Sequence, residues 1–393
     1  MRPYAKKWLM LTLIISLCLT VIVPSRGAFA DESFVMDNAK GAALIDVTSG
    51  RILYGHNADK PMLIASLTKV MTAIVAIENG NLSSAVTISM RAAGKEGSSL
   101  YLKLGQVISL NQLLQGMMLR SGNDAATAVA EHIGGSVEGF VYMMNEKAQM
   151  LGMTQSTFAN PTGLEDNGVN KSSAADMAKL TAYALHNPVF QEIVKTKEAR
   201  VPNPNDGGNY LWQNKNKMLR MYEGADGVKT GFTKLARRCL ISSATRGGQQ
   251  LAVVTLNDSD DWADHAQLLN YGFKNFPLVE LTHKGDQIDQ TGWVAGRSFL
   301  YPLRTNEQSG LTHTITPYQV GSTDEQLGRK GLLNYQLNGK EIGRNILYEP
   351  NSPYLTMDAQ ATMGFKATEV HITKLKRFVL MWKNVFHRLV TLL

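Results

Sequence analysis

A chain of 393 residues, 44% hydrophobic and 19% charged, is longer than one ordinary core and implies two domains with appendages. Its formal charge of +7 sits at the ends: residues 1–30 hold four basic and no acidic side chains, residues 369–393 hold five basic and one acidic, and the body between carries −1. This argues against nucleic-acid binding, and the eight histidines, with no His-x-x-His, no His-Glu-x-x-His and no cysteine pair, lead to no expected metal or other cofactor.

Residues 1–30 read as a secretory signal: Arg2, Lys6 and Lys7, an apolar run from Trp8 to Val23, then Ala28-Phe29-Ala30 before Asp31. A retained membrane anchor is the rival reading. Leu17 before Cys18 does not suit a lipoprotein, so the mature chain keeps only Cys239 and has no internal disulfide. Gly41–Val47 and Arg51–Gly55, joined by Thr48-Ser49-Gly50, predict a β-hairpin.

After Asp59-Lys60-Pro61, Ser66 and Lys69 open an apolar helix that Asn79-Gly80-Asn81 ends, and they fall one turn apart on the same face. A serine hydroxyl needs a nearby base, and lysine is a base only when uncharged. Leu63, Ile64, Leu67, Val70, Met71, Ile74 and Val75 surround Lys69 with apolar groups that disfavour its charge. The alternative is a Ser N-cap followed by an ordinary snorkelling lysine.

Downstream, Val86–Ser89 and Tyr101–Leu104 read as short strands, and Ser109 caps a helix over Leu110–Leu119. Ser121-Gly122-Asn123 interrupts this helix before the pattern resumes over Asp124–Ile133, which is either a rigid polar display or a plain turn. His132 reads as a packing residue. A helix from Ser136 to Leu151 follows, then the turn cluster Asn160-Pro-Thr-Gly-Leu164, with Glu165 in what reads as a solvated turn. Ser172-Ser173 caps Ala174–His186, Asn187-Pro188 breaks it, and residues 202–209 form a polar loop. Gly224–Thr233, Cys239–Thr245 and Leu251–Leu256 predict an antiparallel meander with Lys229-Thr230-Gly231 near one edge, backed by a helix over Asp260–Phe273. Lys229 there either meets a substrate or only guards an edge.

Past Leu278, alternating segments at 297–303, 312–317, 331–337 and 342–348, with Asn338-Gly339 as a hairpin signal, predict a small β-rich domain. Thr373–Leu393 places Leu375, Phe378, Val379, Trp382, Val385, Phe386 and Leu389 at three- and four-residue steps, with Lys374, Arg377, Lys383 and Arg388 on the other side. That pattern predicts an amphipathic helix lying on a membrane surface, or docked on the protein itself. The expected organisation is a signal at 1–30, a catalytic domain at 31–278, a β-rich domain at 279–365 and the terminal helix at 366–393.

Ser66-x-x-Lys69, Ser121-Gly-Asn123 and Lys229-Thr-Gly231 occur in the order known for β-lactamases and penicillin-binding proteins. With Ala65–Thr72, Arg120–Ala126, Asn160–Leu164 and Asp226–Gly231, the chain resembles, over about residues 36 to 365, the D-alanyl-D-alanine carboxypeptidases among the low-molecular-weight penicillin-binding proteins. The resemblance implies an α+β penicillin-recognising fold with a five-stranded antiparallel sheet and helices, plus a β domain. It implies peptidoglycan stem peptides ending in D-Ala-D-Ala as substrates and β-lactams as covalent inhibitors.

Carried over, Ser66 is the nucleophile, Lys69 the base, Ser121 and Asn123 the second wall, and Lys229, Thr230 and Gly231 the docking strand. The N–H groups of Ser66 and Phe232 are the oxyanion donors. Met117–Asn145 and Lys229–Ala236 look most like the sporulation-specific enzymes of endospore-forming bacilli. Two departures stand out: Ala236-Arg237-Arg238 replaces Ala-Gly-Tyr, and an arginine expected in Asp258–His265 is missing. Arg237 or Arg238 is therefore the expected carboxylate receiver. A β-lactamase and a non-catalytic peptidoglycan-binding module are the rival functions.

Overall fold

The structure is a computed structural model and describes residues 36–355, apart from 37, 166–167, 204–206 and 354. The signal at 1–30 and the amphipathic segment at 366–393 lie outside the described residues. The chain divides between Pro277 and Leu278 into two compact units.

In the first unit, β1 (Ala39–Asp46) and β2 (Ile52–His56) form the expected hairpin. The helices α1 (Thr68–Asn79), α2 (Leu110–Arg120), α3 (Asn123–Gly134) and α4 (Ala174–Leu185) follow, with a further helix at Val137–Met150. Then come β3 (Ala225–Thr233), β4 (Arg237–Arg246), β5 (Gln249–Asp258) and α5 (Asp261–Asn275). The five strands form one antiparallel sheet in the order β2-β1-β5-β4-β3, which leaves β3 at an edge.

The sheet is buried on both faces, which is why β5 reads as a continuous apolar run instead of an alternation. Ala252, Val254 and Leu256 of β5 pack on one side in a core with Val70, Met71 and Ile74 of α1. Leu251 and Val253 pack on the other with Leu268 and Leu269 of α5. The caps match the sequence signals: Ser109 and Gln112 form a capping box on α2, and Ser173 accepts from the Asp176 N–H on α4.

One local expectation needs correction and two gain detail. Tyr101–Leu104 is not a strand, because the N–H groups of Leu100 and Leu102 donate to the Asp124 carboxylate instead of to a neighbouring strand. Asn187-Pro188 ends one helix and starts another, Pro188–Lys195, with the Asn187 side chain accepting from the N–H groups of Val189 and Phe190. Proline at a first helical position removes an N–H that would have had no partner there. The 202–209 stretch joins a hairpin of Glu198–Pro202 and Asn209–Gln213.

The second unit contains a five-stranded antiparallel sheet ordered Gln287–Ile288, Trp293–Ala295, Lys340–Tyr348, Arg329–Leu337, Leu311–Pro317. Asn338 and Gly339, at φ 51° and 76°, make the turn between its two longest strands. Phe299 stacks on Tyr335 with ring centroids 4.3 Å apart in its core. A cavity of about 370 Å³ there carries His313 and Asp289, which pair with each other 3.0 Å apart.

Candidate active site

Ser66 lies in a 3-10 turn, Ala65–Leu67, that runs directly into α1 and carries Lys69 one turn on. The backbone is strained immediately before the serine, with Ala65 at φ 45°. Lys69 is fully buried. Its Nζ lies 3.0 Å from Ser66 Oγ, 2.8 Å from Asn123 Oδ1 and 2.6 Å from the Thr162 carbonyl oxygen. Burial holds the Lys69 amine well below the usual lysine range, and the ammonium groups of Lys229 and Lys215 push the same way against Asp124. A neutral amine has two N–H groups and one lone pair. Asn123 Oδ1 and Thr162 O can only accept, so they take both N–H groups and leave the lone pair for the Ser66 hydroxyl proton.

The second wall is the corner between α2 and α3. Ser121 sits there in left-handed conformation, φ 64°, and is buried. The Asn123 amide is oriented by its surroundings: Nδ2 donates to Glu96 O at 2.7 Å, which turns Oδ1 toward Lys69. The Asn123 N–H donates to Ser98 O at 2.7 Å. Beside it, buried Asp124 accepts from Ser99 Oγ at 2.6 Å and from the N–H groups of Leu100, Leu102 and Ala125. The 96–102 segment is thereby tied to the head of α3.

Behind Lys69 runs a shelf at Asn160–Gly163. Asn160 Oδ1 accepts from the N–H groups of Thr162 and Gly163, at 3.1 and 2.8 Å. Asn170 Oδ1 accepts from the N–H groups of Ala159 and Asn160, and its Nδ2 donates to Thr68 Oγ1 at 2.9 Å, which ties the shelf to α1. Thr72 Oγ1 donates to Pro161 O at 2.8 Å. Gly163 has φ 86°, and a Cβ there would lie 1.9 Å from Ala65 O, so only glycine lets the shelf press against the Ser66 turn.

The third wall is β3. A Cβ on Gly231 would stand 3.2 Å from the Ser66 N and 3.3 Å from Ile64 O, which measures how closely this strand passes Ser66. Lys229 is buried, its amine brought down to about 7 by burial and then by Lys215, and its Nζ donates to Thr230 O at 2.7 Å. Phe232 is exposed. Glu165, which reads as a solvated turn residue, accepts from Thr233 Oγ1 at 2.5 Å and so joins the shelf loop to β3. The two arginines part company. Arg238 is ion-paired with Asp261 of α5 and lies over the Trp262 ring, on the face where Ser242 meets His265. Arg237, at φ 62°, is exposed and makes no ion pair among the described residues.

Thus Ser66, Lys69 and Asn123 are in direct contact and Gly231 passes beside them. Four contributors were missed from sequence: the Thr162 carbonyl, Asn170, Asp124 and Lys215. A backbone acceptor leaves no residue-type signal. Asn170 and Asp124 look like turn and helix-start residues, and Lys215 sits in a polar Asn-Lys-Asn-Lys run.

The D-alanyl-D-alanine carboxypeptidase family matches residues 30–260. D-alanyl-D-alanine carboxypeptidase DacF of Bacillus subtilis is 31% identical over 96% of this chain and 99% of its own length. DacC of Escherichia coli, a D-alanyl-D-alanine carboxypeptidase, is 32% identical over 81% of this chain and 86% of its own. The crystal structure of Escherichia coli penicillin binding protein 6B superposes with a TM-score of 0.64 at 28% identity, covering 82% of this chain and 98% of that one. The chain belongs to the D-alanyl-D-alanine carboxypeptidases, serine peptidases of family S11.

Proposed function

We propose that this carboxypeptidase removes the terminal D-alanine from peptidoglycan stem peptides through an acyl-enzyme on Ser66, with Lys69 as the base. The observation that carries the assignment is the fully buried Lys69 Nζ within hydrogen-bond reach of Ser66 Oγ, Asn123 Oδ1 and Thr162 O, where a neutral amine that donates to the last two keeps its lone pair for Ser66. Ser66 Oγ attacks the carbonyl of the penultimate D-alanine and its proton passes to Lys69. The oxyanion lies between the N–H groups of Ser66 and Phe232, on the close approach that Gly231 permits. Lys69 returns the proton to the departing amine, and the C–N bond breaks as free D-alanine leaves. Water then attacks the Ser66 ester by the same proton path, restoring the serine. Ser121, buried two residues before Asn123, is assigned to this path by its place in the Ser121-Gly-Asn123 motif.

The substrate's terminal carboxylate is received by Arg237, which makes no ion pair among the described residues, and by Lys229 and Thr230. Membrane attachment through residues 366–393 is supported by their apolar steps and basic opposite side. It places the exported enzyme on the outer face of the cytoplasmic membrane. Action on spore cortex rests on the likeness of Met117–Asn145 and Lys229–Ala236 to sporulation-specific enzymes. Cortex stem peptides unchanged in spores lacking the protein would remove that assignment.

The test of the reaction is to mix the purified protein with labelled penicillin and follow its intact mass. A long-lived adduct on Ser66 is expected. Rapid turnover of the drug would identify a β-lactamase instead, and no adduct at all a peptidoglycan-binding module.

A further inference from the structure

Lys215 carries no motif, yet two contacts place it across the Ser121–Asn123 corner. Its N–H donates to Leu119 O at 3.1 Å, two residues before Ser121. Its Nζ donates to Ser98 Oγ at 3.1 Å, and Ser98 O in turn receives the Asn123 N–H. The backbone around it is pinned by Asn214, whose Nδ2 donates to Thr196 O and whose Oδ1 accepts from the Asn216 N–H. Lys215 therefore clamps the segment that seats Asn123, and Asn123 orients Lys69.

We propose that Lys215 is a positioning residue of the acylation step, latching the Glu96–Ser98 segment against Asn123 and adding a third positive charge to the cleft of Lys69 and Lys229. The inference rests on the proposed role of Lys69 as base. Among the described residues, the charged groups that bear on Lys69 are Lys229 of β3, Lys215 and Asp124 of α3, and Arg120 at the end of α2 bears on Lys215. Asp124 already accepts four hydrogen-bond donors from the 99–102 segment and its own helix, so it is a weak counterweight to the two ammonium groups. Each neighbouring cation makes protonation of Lys69 harder. Because Lys215 is exposed, solvent screens its share, and the expected effect is modest.

The test compares penicillin acylation rates across pH for wild type, Lys215→Met and Lys215→Arg, with thermal unfolding of each. Lys215→Met removes both charge and latch. Its acid limb should move to higher pH by about half a unit, roughly a three-fold loss of rate at acid pH, and the shift should shrink in high salt. Lys215→Arg should restore the wild-type limb. An unmoved limb in a folded Lys215→Met protein overturns the proposal, as does a loss of rate that is equal at every pH. A wild-type protein that is never acylated at Ser66 refutes the acyl-enzyme reading itself, and the proposal falls with it.

Discussion

Lys69 Nζ is closer to the carbonyl oxygen of Thr162, at 2.6 Å, than to Ser66 Oγ, at 3.0 Å. The shelf contact therefore fixes the amine, and the serine meets an electron pair whose direction is already set. Replacing Lys69 by Arg should lower penicillin acylation by roughly 10²–10⁴-fold, since a guanidinium stays protonated and general-base catalysis is of that order. The intact-mass assay checks it, and near wild-type labelling of Lys69→Arg would mean that another group takes the serine proton.

Gly163→Ala should be equally informative without touching any titrating group. The new methyl would meet Ala65 O at 1.9 Å on a backbone that already needs φ 86°, so the shelf or the Ser66 turn must move. A displacement of about 1 Å costs on the order of 10²-fold in rate. Acylation kinetics beside a thermal melt would separate this from unfolding, and a folded, fully active variant would show the contact to be loose.

For the arginines, Arg237→Ala should lower kcat/KM on a diacyl-Lys-D-Ala-D-Ala peptide by roughly one to two powers of ten, the worth of a charge-assisted hydrogen bond. Arg238→Ala should leave kcat/KM alone and reduce stability by up to about 1 kcal/mol, because its partner Asp261 is buried while the arginine itself is half exposed. The opposite pattern would transfer the carboxylate to Arg238.

Beside the rise with pH that buried Lys69 and Lys229 add, the far face of the sheet should contribute two slopes of its own to the pH dependence of stability. Burial, reinforced by Asp264, pushes Asp258 up to about 7, while burial pushes His265 down to about 3. Asp258 binds its proton more tightly folded than unfolded, so its contribution fades as pH rises from about 4 to 7. His265 binds its proton less tightly folded, so its contribution grows as pH rises from about 3 to 6.5. The two slopes oppose one another. In Asp258→Asn the falling slope is gone, so denaturant unfolding should show stability climbing to pH 6.5 and exceeding wild type at pH 8. An Asp258→Asn profile parallel to wild type would contradict this.

Truncation after Gly364 should leave activity on small peptides unchanged and abolish pelleting with anionic vesicles, whereas the full mature chain should pellet and be partly released by high salt. A full chain that remains in the supernatant, or a truncation that unfolds, would favour a helix docked on the protein body.

Much of this was legible from residue types. The sheet strands announce themselves through runs such as Leu251–Leu256, the caps through Ser109 and Ser173, and the chemistry through three short motifs in order. What stayed hidden was relational. Nothing in Tyr101–Leu104 betrays that a carboxylate 22 residues on captures the Leu102 N–H, and nothing in Arg237-Arg238 says that Asp261 engages only the second. Glu165 looks solvated because its immediate neighbours are polar, while Thr233, its partner, is 68 residues away. Local composition reports exposure well and long-range pairing poorly.

The amine of Lys69 is held by Asn123 and Thr162, 54 and 93 residues further along the chain. Neither contact can form until distant segments have closed onto α1, and such closure comes with cooperative folding rather than from local structure. A partly folded chain thus exposes a charged, harmless lysine beside an ordinary serine. Covalent labelling by penicillin is consequently a count of natively folded molecules, and the fraction labelled after a heat or denaturant challenge should trace the unfolding curve of the first unit.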